Sequence, residues 1–426
     1  MNRSRRALWS WALYDWANSA FATTVMAGFF PLFFKQYWAK DLSATESSFQ
    51  LGLGNSVASL LLVALAPLLG AVADRGGLKR RLLFLFTLLG VAMTGALYFV
   101  AAGHWALAIW LYVAAQLGFS GAMVPYDALL LEVSPRERWD HGSALGYALG
   151  YLGGGLLFAL NVLMVLHPGA FGFPDATEAV RFAFLSVALW WAVFSVPVLL
   201  FVRERGAGER PPLATSLRLG LRQLRDTARH IRQVRPALLF LVAYWLYIDG
   251  VDTVVRMAVD YGLALGFEAN GLMTALLITQ FVGFPAALAF GRIGERYGPK
   301  QGILLAIVVY LLTIAWASRM ETAAEFYALA VVIGLVQGGV QSLSRSLYAR
   351  LIPPEQAGEF YGFYNMLGKF AAVIGPFLVG WVGIVSGSPR IGILSVGVLF
   401  LAGAVLLWRV EVPAAPASEP VKPTPP

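Results

Sequence analysis

Asp15, Asp127, Asp249, Asp252, Arg256 and Arg345 stand inside long apolar runs of this 426-residue chain. A charge in hydrocarbon costs several kcal/mol, so such residues persist where they face a protein interior or a watery path. Asp249, Asp252 and Arg256 recur at i, i+3 and i+7, which puts them on one helix face. Asp252 and Arg256 are four apart and can pair, leaving Asp249 a charged neighbour without an assured partner. The chemistry this predicts is proton exchange at Asp249 or Asp252, with the site alternating between ion-paired and cargo-bound forms. A static pair that braces the helix is the alternative. Asp127 and Arg345 are 218 residues apart and at matching depths. They predict a gate of Asp127 with Arg345 or Lys369, against which stands a pair confined to one half of the chain, for instance Asp15 with neighbours of Arg345. Asp15 itself reads as a gating or capping residue near the first helix start. Asn18, Tyr147, Tyr151, Tyr247, Gln337, Gln341 and Asn365 add donors and acceptors along the same path. A few polar groups in a mostly apolar cavity suit a small molecule. A zwitterion fits the mixture: Asp249 or Asp252 for an amine, Arg256 or Arg345 for a carboxylate.

The elements that carry these residues are membrane spans. Apolar residues make up 58% of the chain and charged residues 13%, against roughly 25% charged in soluble domains. Runs of about 20 apolar residues cross a bilayer. Twelve are read, at roughly 12–36, 50–73, 82–102, 105–130, 143–166, 181–202, 236–260, 269–291, 301–318, 325–349, 360–384 and 390–408. The fold class is an all-α membrane protein, with an N-terminal six-helix half (1–202), a basic linker (203–235), a C-terminal six-helix half (236–409) and a disordered Pro-rich tail (410–426).

Nine arginines fall between Arg203 and Arg235, and the turn after span 2 adds Arg75, Lys79, Arg80 and Arg81. The alternate loops are poor in both basic types, so both termini and the linker are expected in the cytoplasm. That asymmetry accounts for the net charge of +8 through anionic lipid headgroups, with no nucleic-acid partner. Compact loops and the preference for Arg over Lys point to a bacterial inner membrane. There are no cysteines, and the four histidines have no zinc-type spacing. No phosphate loop, dinucleotide fingerprint or nucleophile elbow appears in context, so neither an enzyme nor a resident cofactor or metal is expected. Tryptophans 9, 11, 16, 38, 105, 381 and 408 fall near span ends, as interface anchors do.

The two halves echo each other. Gly70-Ala-Val-Ala-Asp74-Arg75-Gly-Gly77 follows span 2, and Gly291-Arg-Ile-Gly-Glu295-Arg296-Tyr-Gly298 follows span 8, 221 residues later. Pro135 before Gly142 and Pro354 before Gly362 repeat at a similar offset. Six spans repeated with both ends on one side make a parallel repeat about an axis along the membrane normal. Glu132 and Arg350 occupy equivalent span ends. Glu132 is expected to meet the Arg75–Arg81 cluster and Arg350 to meet Glu295, as conformational latches. Gly146, Gly150 and Gly154 on span 5, Gly271, Gly283 and Gly291 on span 8, and Gly362, Gly368, Gly375 and Gly380 on span 11 give smooth faces for close helix approach, expected to let the halves rock.

The Gly-x-x-x-Asp-Arg-x-Gly turn and its partner resemble the major facilitator superfamily. Within it, Tyr14-Asp15-Trp16-Ala17-Asn18-Ser19-Ala20-Phe21, the Gly146–Gly154 string, Tyr247-Ile-Asp249-Gly250-Val-Asp252, Gln337–Ser346 and Glu359-Phe-Tyr-Gly362-Phe-Tyr-Asn365 look like the vacuole-effluxer branch, named for a yeast autophagy-linked exporter of vacuolar amino acids. Asp127 and Leu131 stand where that branch has Asn and Pro, and the longer fungal loops are absent. The resemblance implies alternating access, spans 1, 4, 7 and 10 lining a central cavity, and secondary transport of a small polar solute such as an amino acid. Export fits the family name. Protons rather than sodium are the expected coupling ion, because no clustered carbonyl-and-carboxylate sodium site can be inferred, and a monomer is the expected working unit. A multidrug, sugar or organic-anion carrier of the same fold is the alternative within transport. A membrane receptor or lipid-handling protein is the alternative outside it.

Overall fold

The computed structural model describes residues 3–74, 77–204, 235–264, 269–370 and 374–412. Arg75, most of the basic linker and the tail beyond Val412 lie outside them, as does the side chain of Arg256. Twelve helical spans follow one another: α1 (Ser4–Trp38), α2 (Glu46–Ala73), α3 (Lys79–Phe99), α4 (Trp105–Val133), α5 (Arg136–Leu166), α6 (Ala176–Phe201), α7 (Arg235–Ala264), α8 (Ala269–Tyr297), α9 (Pro299–Ala317), α10 (Ala323–Leu351), α11 (Pro354–Ser386) and α12 (Arg390–Trp408). Each is long and apolar enough to cross a bilayer. In hydrocarbon every backbone amide must bond within its own segment, which is why these runs are helices. Leu60, Leu85, Phe99, Leu312 and Ile384 stay exposed, as a lipid-facing belt requires.

Helix starts are written locally. Ser43 with Glu46 and Thr322 with Glu325 form capping boxes at α2 and α10, and Asp175 accepts the Glu178 amide at α6. Two spans are irregular. In α1 the segments Phe21–Phe29 and Phe34–Trp38 are π-helical, on either side of an α-turn carrying Pro31. Proline crowds the carbonyl four residues back, and wider turns around it relieve that clash. Phe30 stacks on Tyr112 at 3.8 Å and Trp38 on Phe184 at 5.5 Å, so aromatic packing holds the widened stretch. In span α11 the described residues form the helical stretches Ala357–Phe370 and Ile374–Ser386.

The halves, α1–α6 and α7–α12, join along two seams of unequal length. Between α5 and α8 small residues run the length of the contact. A side chain at Gly155, Gly283, Gly291 or Gly294 would meet Gln280, Tyr151, Ala144 and Asp140 respectively, each across the seam. Between α2 and α11 the contact belongs to Ala357–Phe370. Ile374–Ser386 packs instead on α7 and the start of α12. The halves are therefore closed toward the face that carries the linker, here called the linker face. The Gly146–Gly150–Gly154 stripe lies mainly within the N-terminal half, and only its Gly146 also meets the other half, at Arg345. The stripe seats α1 of its own half, against Asp15, Ser19 and Thr23, because its helix face points back into the N-terminal bundle.

Candidate functional site

Arg345 of α10 reaches across the midline into the N-terminal half and is 0% exposed. Its Nε donates to the Ser143 hydroxyl at 2.8 Å and its Nη2 to the Ser143 carbonyl at 2.8 Å. Nη1 donates to Asp127 Oδ1 at 3.2 Å and lies 3.6 Å from Asp15 Oδ2. The guanidinium is sandwiched by rings: Tyr147 at 4.5 Å, Trp11 at 4.9 Å and Tyr126 at 5.5 Å. Taking a charge out of water costs several kcal/mol, and only full ligation compensates. The acids are ligated in turn. Asn365 Nδ2 donates to Asp127 Oδ2 at 2.9 Å, and the Tyr126 hydroxyl donates to Asp15 Oδ2 at 2.9 Å. The Tyr361 hydroxyl donates to the Arg345 carbonyl at 2.8 Å. Gly146 makes the room, since a Cβ there would lie 2.8 Å from Asp15 Oδ2 and 3.0 Å from Arg345 Nη2. Spans 1, 4, 5, 10 and 11 thus converge on one cluster that exists only while the halves are together.

Several expected partners are elsewhere. Lys369 lies over the Phe119 ring at 5.9 Å, and Asp127 is held by Arg345 and Asn365. Trp11 and Trp38 are 0% exposed rather than interface anchors. Trp11 stacks on Tyr126 at 4.6 Å and floors the arginine. Asn18 donates to the Met123 sulfur inside the N-terminal half, and Tyr247 shares a 2.7 Å hydrogen bond with Ser344 inside the other. Both are buried in this state. The Tyr151 hydroxyl reaches Gln341 Oε1 at 3.4 Å, and Asp252 lies within Coulombic reach of Tyr147, Tyr151, Tyr244 and Tyr310. Gln337 Oε1 is buried without a hydrogen-bond partner. It borders a mostly apolar cavity, lined by Val254, Thr279, Gln280, Thr313 and Ile333 among others.

Asp249 is committed to backbone. It accepts the amides of Ile374 at 3.1 Å and Gly375 at 3.0 Å, and the Thr253 hydroxyl at 3.3 Å. These amides open the second helix of α11, so Asp249 caps it from α7. In this state the cap holds both Asp249 oxygens on backbone amides. Asp249→Ala is expected to lower stability by about 1–2 kcal/mol, read by thermal unfolding in detergent. An unchanged midpoint would refute the cap.

Two further contacts tie the halves at the linker face. Asp74, ending α2, accepts the amides of Gly358 at 2.8 Å and Glu359 at 2.9 Å at the start of α11. Lys79 lies 3.7 Å from Asp74 and 3.3 Å from Glu132. A Cβ at Gly70 would sit 2.0 Å from the Gly358 carbonyl, and one at Gly362 would sit 2.5 Å from that of Ala66. Backbone thus lies directly on backbone. On the other seam Arg350 Nη2 donates to Asp140 at 2.7 Å. The expected Arg350–Glu295 pair is replaced, because Glu295 and Arg296 are exposed while Asp140, 1% exposed, starts α5 beneath the end of α10. Gly291 abuts Ala144.

Sequence reasoning missed Asp140, Ser143 and Gly358. The repeat offset was their signal, since Asp140 and Glu359 stand 219 residues apart as acids in equivalent first turns.

Burial outweighs Lys79 and the two amides, and raises Asp74 to about 6. A carboxyl raised in the joined state and ordinary once the halves part stabilises joining most below pH ~4, and loses that contribution as pH rises through 6. Acidifying the linker face from pH 7 to 5 should therefore favour the closed form on the order of 10-fold, and Asp74→Asn should remove the dependence. Cysteine accessibility at the α2–α11 seam would report it, and a pH response unaltered in Asp74→Asn would refute it.

Comparison with known proteins fits this architecture. The family model described as "Vacuole effluxer Atg22 like" matches residues 3–48, 41–133 and 132–417. The "Uncharacterized MFS-type transporter YxiO" of Bacillus subtilis (strain 168) is 38% identical over 403 residues, covering 93% of each chain. Autophagy-related protein 22-1 of Aspergillus niger is 28% identical over 295 residues, 63% of this chain and 47% of its own length. Among solved structures, the human organic anion transporter MFSD10 has a TM-score of 0.72 at 17% identity, covering 96% of this chain and 100% of that one. FucP in its outward conformation has 0.70 at 11%, with the same coverage. With two six-helix halves locked by ion pairs and a match along nearly its whole length, the chain belongs to the vacuole effluxer Atg22-like family of major facilitator transporters.

Proposed function

We propose that this transporter exports a small polar solute, an amino acid or related metabolite, by proton-coupled alternating access across a bacterial inner membrane. Both termini and the basic linker then lie in the cytoplasm, with the linker against anionic headgroups and a single chain as the working unit. The observation that carries the reading is the burial of Arg345 of one half between Asp15 and Asp127 of the other. A wholly buried ion cluster on the midline is costly to assemble and to break, so it divides the molecule into two discrete states. With the cluster formed, the Asp74 and Arg350 contacts close the cytoplasmic side, and the opposite side admits or releases cargo. With the cluster broken, the three acid–base partners meet water and the site faces the cytoplasm.

Asp252, Tyr151, Gln341 and Gln337 are the cargo-facing groups of this scheme. The acid serves an amine, and the amide oxygens serve further donors. Arg345 is spent on the lock in this state, so a cargo carboxylate falls to Arg256. Purified protein in liposomes preloaded with single amino acids tests the reading. Counterflow of at least one amino acid, accelerated by an imposed pH gradient, is expected. Saturable binding with no counterflow would replace it with a receptor. Counterflow of organic anions or sugars alone would replace the cargo.

A further inference from the structure

The lock holds two carboxylates against one guanidinium. With all three ionised its net charge is −1, in a site where Arg345 is 0%, Asp127 2% and Asp15 5% exposed. An uncompensated buried charge is destabilising by several kcal/mol, and one added proton removes it. The partners decide which acid can take that proton. Both oxygens of Asp127 are held by groups that only donate, Arg345 Nη1 on Oδ1 and Asn365 Nδ2 on Oδ2. A proton there would point at another N–H. Asp15 differs. Its hydrogen-bond partner is the Tyr126 hydroxyl at 2.9 Å, which accepts as readily as it donates, and the guanidinium is farther away at 3.6 Å.

We propose that Asp15 is the proton-carrying residue of the transport cycle: it binds one proton from bulk water as the halves close on the linker face, and returns it when they part. The protonated carboxyl can donate to the Tyr126 oxygen, and the cluster is then a neutral Asp127–Arg345 pair with a neutral acid beside it. The titratable and charged groups around Asp15 are Arg345 from α10, Asp127 and Tyr126 from α4, Tyr147 and Tyr151 from α5, and Tyr14 on its own helix. Arg345 is the cation among them, and Asp127 already occupies it. This rests on the proton coupling proposed above and moves its seat from α7 to α1.

The test needs no cargo. The chain has no cysteines, so Glu137→Cys and Glu355→Cys, on exposed turns of opposite halves, accept a spin-label pair that reports whether the linker face is closed. In closed, ester-free detergent samples at pH 7.5, where Asp74 is ionised, infrared spectroscopy should show a protonated-carboxyl band. Asp15→Asn should abolish the band. Asp127→Asn should also abolish it, because Asp15 then becomes the sole partner of Arg345 and ionises. Asp249→Asn should leave it. Gly70→Ala, which props the linker face apart, should lose it together with the short label distance. A closed wild type without the band, or a band that survives Asp15→Asn, overturns the assignment. Liposomes that exchange no amino acid while the band behaves as described would remove the cargo reading and leave this one standing.

Discussion

Replacing Arg345 with leucine is expected to destabilise the closed protein by about 3–5 kcal/mol and to abolish transport. The loss exceeds that of an ordinary contact because of what stays behind. Asp15 and Asp127 would face each other without a cation, and the Ser143 hydroxyl and carbonyl would lose their donors. Lysine should rescue poorly, because an ammonium cannot spread to Asp127 and both Ser143 oxygens in one plane. The triple change Asp15→Asn, Asp127→Asn, Arg345→Leu removes the charges together and should recover most of the stability, yet no transport, because nothing is left to alternate. Chemical unfolding in detergent, read beside liposome counterflow, separates the two quantities. If Arg345→Leu unfolds like wild type, or if the triple variant is no more stable than Arg345→Leu alone, the cluster does not hold the halves together.

The second large effect is expected at Gly70. An alanine Cβ would stand 2.0 Å from the Gly358 carbonyl and 2.8 Å from the Glu359 Cα. Neither is a side-chain tip that could move aside. The helices must separate, and Asp74 then loses its reach to the amides of Gly358 and Glu359. Overpacking of this kind costs about 1–3 kcal/mol, and here it falls on one state alone. Gly70→Ala should fold, because each half keeps its own core, while transport falls on the order of 10–100-fold and cysteines at the α2–α11 seam become reactive. Gly52, whose added Cβ meets nothing within 4 Å, is the control on the same helix. A Gly70→Ala protein that transports at the wild-type rate would show that this backbone contact is not made during the cycle.

Twelve spans were legible because a lipid environment forces each segment to satisfy its own amides, which leaves a run of apolar residues as the record. The parallel repeat was legible through the turns after spans 2 and 8. What could not be read was which charge meets which. Arg345 gathers both Asp15 and Asp127, and Arg350 chooses Asp140 over Glu295, because those choices depend on the rotation of one half against the other, and no periodicity within a helix encodes that. Asp249 looked like a reactive carboxyl from its run, yet its partners are amides 125 and 126 residues away. The widened turns of α1 were equally hidden, since Pro31 alone reads as an ordinary kink.

The unequal seams carry a consequence for genetics. Contacts between α5 and α8 span the thickness of the protein, whereas those between α2 and α11 occupy one side. The first behaves as the spine of a book and the second as the fore-edge. Second-site revertants of a jammed transporter should accordingly gather along α2 and the Ala357–Phe370 stretch, where small adjustments bias one form over the other, and should be scarce along α5 and α8, where any change is felt throughout the cycle.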